Sequence, residues 1–168
     1  MAITEAATWH DLGVPFHLRY ASGAVTEVTA ALTIDPGVEM LMAPGLGISM
    51  QGGGSMTAIG TAENRITMRA KSEAWQGLDF LDTTGSFDYV DIMDGGSAEW
   101  GMVLEPGTVT IRAANGTAVV HFTGDVTLTG AAYGIAFTFG ESIAVGCPRS
   151  VYVPPPDQLS DHCRAPPR

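Results

Sequence analysis

The run from Gly107 to Val145 constrains the fold more than any other part of the sequence. It contains the dipeptide Asn115-Gly116, whose residue types suit a two-residue type I′ turn, because both central positions of that turn need a positive φ. On both sides of the dipeptide, apolar residues alternate with polar ones, which is the pattern of strands with one buried face. The run therefore predicts an antiparallel hairpin, in a register that places Ile111 opposite Val120 on the core face.

Alternating apolar residues and turn signals recur along the rest of the chain. The tripeptide Asp35-Pro36-Gly37 has a turn-forming residue at each position and should end a strand. Residues 1–12 are interpreted as an irregular lead-in, and residues 76–84 as turn-rich. No internal repeat of fixed period stands out. We expect an all-β fold, a single-domain antiparallel meander of about ten strands that forms a closed barrel or a curled sandwich.

The length of 168 residues suits one domain with enough chain to bury a core. We predict an all-β domain over residues 1–146 and a Pro-rich C-terminal arm over residues 147–168. Cys147 and Cys163 flank a proline-rich stretch of that arm, and no Cys/His spacing typical of a metal site is present. The two cysteines are a candidate disulfide, and the alternative of two unpaired thiols stays open.

An excess of acidic residues limits the partners of this chain. The sequence has 18 Asp plus Glu against 8 Lys plus Arg, a formal net charge of -10, so its surface should repel nucleic acids and anionic membranes. No apolar run is long enough to span a bilayer as a helix. We therefore expect no nucleic acid and no membrane among its partners.

The N-terminal segment lacks the positive region and the apolar region of a secretory signal. On this basis we expect synthesis for the cytoplasm or for a particle surface, and secretion stays open if a leader has been removed. A disulfide between the two cysteines would favour an oxidising destination. The compartment is not fixed by these residues.

The sequence contains few candidates for chemistry. Asp91 and Asp94 place two carboxylates beside a glycine-rich turn, as in some Ca²⁺ sites, although the simpler interpretation is turn and surface residues. His121 lies on the strand face opposite to that of Val120, and it is a candidate catalytic base only if its face lines a cavity. No serine-nucleophile motif or phosphate-binding glycine motif is present, and no cofactor is expected.

Methionines and aromatic residues in the predicted strands are of the types that line an apolar cavity, although methionine also fills gaps in ordinary cores. The candidate pocket residues are Met68, Trp75, Trp100, Met102, Phe137 and Phe139.

Two hypotheses for function follow. The first is a non-enzymatic structural or interaction protein, a β-rich component of a larger assembly such as a virion-like or cell-surface particle. Its partners would be copies of itself or other assembly subunits, and the lack of a catalytic constellation favours it. The alternative is a small β-barrel that binds an apolar small molecule, in one form a cyclase or isomerase that acts by shaping its substrate.

Overall fold

The computed structural model describes residues 2–19, 25–96, 107–112, 114, 117–129, 133–137 and 143–146. Within these ranges the protein has fifteen β-strands and no helix. The strands are β1 (Ala2–Ile3), β2 (Ala7–Trp9), β3 (Phe16–Leu18), β4 (Val25–Val28), β5 (Ala31–Ile34), β6 (Glu39–Met42), β7 (Gly47–Met50), β8 (Ser55–Ile59), β9 (Ile66–Ala70), β10 (Gly77–Leu81), β11 (Thr84–Ile92), β12 (Gly107–Arg112), β13 (Ala118–Leu128), β14 (Tyr133–Phe137) and β15 (Ile143–Gly146).

All strand pairings in the described residues are parallel, and they build a β-solenoid of about three turns. The first turn (β1–β3), second turn (β4–β6) and third turn (β7–β9) each contribute one strand to three sides of the solenoid. Sheet A has the order β1-β4-β7-β10-β12-β14, and sheet B has the order β2-β5-β8-β11-β9-β6-β3, with β13 and β15 added beside β11. Strands β10–β15 thus continue the stack that the three turns begin.

The chain interval between stacked residues changes along the solenoid. Ala2 lies beside Glu27, Val25 beside Gly47, and Gly47 in turn beside Gly77. These unequal intervals explain why the sequence shows no fixed period, although each turn repeats the same architecture.

In the layer that follows the third turn, one long strand, β11, lies on two sides of the solenoid. Strand β11 bends at Tyr89, whose φ is 48, so that its first half pairs with β8 and its second half with β9. The register against β13 shifts at the same point, which is the behaviour of a β-bulge. Strand β13 pairs with β11 on both sides of this bend. In these two layers the described residues therefore contain no separate strand in the position of β3, β6 and β9.

The interior is filled by stacks of apolar side chains that run along the solenoid axis. In sheet A, Val28, Met50, Phe80 and Ile111 are neighbours in successive strands, and each is 0% exposed. Removing such side chains from water is the main stabilising contribution in this fold.

Three aromatic rings meet in the middle of that interior. Phe87 stacks on Phe122, with centroids 5.5 Å apart and planes at 21°, and Phe80 meets Phe87 edge-on at 5.8 Å. Such pairs contribute about 0.5–1.5 kcal/mol beyond the burial of their area. The long-strand layers therefore hold a cluster of three buried aromatic rings.

The prediction of an antiparallel meander closed as a barrel or sandwich is wrong. Strand β12 pairs with β10 and β14, while β13 pairs with β11 and β15, so Ile111 lies beside Phe80 and not in a hairpin opposite Val120. Alternation of apolar and polar residues is the same in parallel and antiparallel strands, and the expected turn at Asn115-Gly116 lies outside the described residues.

The alternation predicts the buried face of these strands correctly, although it does not predict which strands pair. Val120 and Phe122 are 0% exposed, as the alternation predicts. The β-turn at Asp35-Pro36-Gly37 is confirmed, with Gly37 at φ 85. Residues 76–84, in contrast, hold strand β10 and are not merely turn-rich.

Candidate interaction surface on the first turn

The apolar stacks reach the first turn and remain partly uncovered there. Trp9 lies beside Ile34 and Phe16 beside Met40. The two second-turn residues are 1% and 0% exposed, whereas Trp9 and Phe16 are only partly buried. A solenoid end needs a polar outer face to stay soluble alone, so an end that leaves aromatic residues partly open is suited to further contact.

The two aromatic residues pack against each other. The rings of Trp9 and Phe16 are stacked, with centroids 5.4 Å apart and an angle of 11° between their planes. The loop that joins their strands presents Leu12 and Val14, which are 67% and 64% exposed. Two of the three large exposed hydrophobic residues in the described ranges therefore belong to this turn.

Polar contacts hold that loop in place against the second turn. The backbone N–H of Gly13 donates to Asp11 Oδ1 at 2.8 Å, and Gly13 has a φ of 69. Nδ1 of His10 lies 2.6 Å from Asp35 Oδ2 on the second turn. Leu12 and Val14 are thus presented by an ordered loop.

The first turn also has a backbone edge with which no described strand pairs. The carbonyl of Trp9 accepts from Asp35 N at 3.0 Å, and the carbonyl of Leu18 accepts from Ala43 N at 3.0 Å, so both residues face the second turn. Successive residues in a strand direct their N–H and C=O groups to opposite edges. Thr8 and His17 therefore direct theirs away from the solenoid, where no described strand pairs with them.

A second feature, missed in the sequence, is a buried polar cluster on the outer side of sheet A. The Asp79 carboxylate is 0% exposed and accepts from Arg112 Nε at 2.6 Å and Nη2 at 2.5 Å, and from Ser49 Oγ at 2.7 Å. Hydrogen bonding to Asp79 raises the pKa of Arg112 above its ordinary value. The hydroxyl of Thr110, beside Asp79, is buried and has no hydrogen-bond partner among the described residues.

This cluster joins three strands, β7, β10 and β12. Its carboxylate is engaged on both oxygens by a guanidinium, so it is held as an ion pair and is not available as a free acid or base. We interpret the cluster as a clamp between layers.

The two candidate metal ligands, Asp91 and Asp94, contact different residues. Asp91 accepts from Arg65 at 2.8 and 2.7 Å, and this hydrogen bonding is the largest cause that lowers the pKa of Asp91. Arg65 also reaches Asp125 on the next layer, at 3.0 Å. The carbonyl of Asp94 accepts from Trp75 N. In the described ranges no group of three or more His, Cys, Asp or Glu residues is placed to hold a metal ion.

The other sequence candidates are dispersed. His121 is exposed on the outer side of β13, beside Ser86. Met68 and Trp75 are 0% exposed parts of the core, and the Trp75 ring N–H donates to the Met93 carbonyl at 2.7 Å. Outside the described side chains lie Trp100, Met102, Phe137, Phe139, Cys147 and Cys163, of which Phe137 is placed only by its backbone in β14.

Fold and surface together define a parallel β-solenoid protein with an open apolar first turn. The chain matches no protein-family model, no curated protein and no solved structure in the three comparisons made. No helix in the part of the chain that the structure describes has the length and apolar character needed to cross a membrane.

The first turn was missed because residues 1–12 were interpreted as an irregular lead-in. The signal that was available is the alternation of Ala7 and Trp9 around Thr8, which is short but has a strand period. Nothing in the sequence indicates that Trp9 packs against Phe16, because a loop separates the two strands.

Proposed function

We propose that the protein is a non-enzymatic structural or interaction component, a β-rich subunit of a larger assembly such as a virion-like or cell-surface particle. The observation that carries the proposal is the first turn, where a stacked pair of aromatic rings, an exposed apolar loop and a strand edge with which no described strand pairs occur together. Edges of this kind are templates for pairing with another chain.

The architecture of the rest of the molecule is consistent with this role. A solenoid gains stability from each neighbouring layer, so a partner on the first turn would add a layer beyond those that the described strands provide. The inward residues beneath the first turn, such as Ile34 and Met40, are 1% and 0% exposed, so a partner at that end would meet a layer with a filled core behind it.

The alternative function, a barrel that binds an apolar ligand, required a hollow interior. The inward methionines and aromatic residues of the described strands fill the solenoid, and Met50, Met68 and Phe87 are each 0% exposed. Of the six residues predicted for the pocket, Met68 and Trp75 have described side chains and both are buried in the core. The closed barrel that this alternative needs is not the observed fold, which is why we favour the assembly hypothesis.

Sedimentation velocity over a wide range of protein concentration tests the proposal. We expect the wild-type chain to associate and the double variant Leu12→Glu/Val14→Glu to associate at least about tenfold more weakly, because it places charge on an apolar contact. Ile59→Glu is the matched control, since Ile59 is also an exposed hydrophobic residue, at 41%, but lies on the third turn. A wild-type chain that stays monomeric, or three chains that behave alike, would contradict the proposal.

A further inference from the structure

We draw no further inference here: the strongest candidate, the row of hydroxyl side chains that Thr8, Thr33, Thr57 and Ser86 form along successive strands on the outer face of sheet B, is a stripe of small polar residues, and nothing in the part of the chain that the structure describes shows what covers it.

Discussion

The first turn and the layers formed by β10–β13 are built from the same pattern but differ in what covers them. The first turn has strands of two or three residues, and its inward aromatic residues are partly exposed. Strands β11 and β13 have 9 and 11 residues, and the rings between them are 0% exposed. A layer with neighbours on both sides completes its own core, whereas an end layer with one neighbour completes it only through a further contact.

The ion pairs of the two regions also differ in exposure, and the pair on the first turn is the more exposed. On the first turn, His10 pairs with Asp35 where the side chains are 69% and 37% exposed, and such pairs contribute little. In the long-strand layers, Asp79 and Arg112 pair with 0% and 19% exposure, where a lost partner is costly. Buried rings and the buried ion pair therefore lie in the middle of the chain, whereas the contacts of the first turn are more exposed.

The largest expected effect is the removal of a ring from the middle of the solenoid. Phe87→Ala should lower the free energy of unfolding by about 4 kcal/mol, because it leaves a cavity between Phe80 and Phe122. Phe16→Ala on the first turn should cost only about 1–2 kcal/mol, because Phe16 is partly exposed in the single chain. Urea unfolding at protein concentrations below the association range measures both values.

Equal losses for the two substitutions would show that the first turn and the long-strand layers contribute equally to stability. A loss from Phe16→Ala that grows with protein concentration would show that contact with another copy stabilises the first turn.

The next effect in size concerns the buried ion pair. Asp79→Ala should cost about 3 kcal/mol, since it leaves the Arg112 guanidinium without its partner, while the 19% exposure of Arg112 lets some water relieve it. The double variant Asp79→Ala/Arg112→Met removes both charges and should recover most of that loss. Thermal or urea unfolding of the three chains measures the recovery, and a double variant no more stable than the single one would show that the pair is not the source of the loss.

The smallest effect is a pH dependence at the Arg65 contact. Hydrogen bonds from Arg65 are the first cause that holds the pKa of Asp91 below its usual value, with a further contribution from Thr127. Because the folded pKa lies below the unfolded value of about 3.9, the stabilisation is complete above that pH and is lost as the pH falls through the folded pKa. Arg65→Met should therefore lower stability by about 1 kcal/mol at neutral pH and flatten its acid dependence below about pH 4.

Urea midpoints measured at a series of acidic pH values test this dependence. The matched control is Arg69→Met, which removes a guanidinium paired with Glu39 on the same side of the solenoid, where both side chains are more than a third exposed. If Arg65→Met keeps the acid slope of the wild-type chain, the pair with Asp91 is not the source of that slope.

Local sequence signals predicted part of the local structure. The tripeptide Asp35-Pro36-Gly37 turns the chain as its residue types require, and the alternation places Val120 and Phe122 inside. Strand direction could not be obtained this way, because a strand with one buried face has the same period whichever way its neighbour runs. The pairing partner of each strand could not be predicted either, because the unequal intervals between stacked residues leave no repeat to detect.

The candidate site was less accessible to sequence analysis than the fold class. The sequence pattern indicates turns around Asp79. Its partner Arg112 is 33 residues away in the sequence but lies on the adjacent strand. Trp9 and Phe16 form a surface only because two short strands of one turn bring their rings together.

Local residue patterns suffice to predict that the chain forms strands, that it turns at Asp35-Pro36-Gly37 and that alternate strand residues face inward, because these properties depend on residues within a few positions of one another. Tertiary contacts set the parallel direction of the strands, the stack of Val28, Met50 and Phe80, and the partly exposed apolar surface of the first turn. Those properties depend on contacts between residues far apart in the chain, and at the first turn they depend on a neighbouring layer that the described residues do not provide.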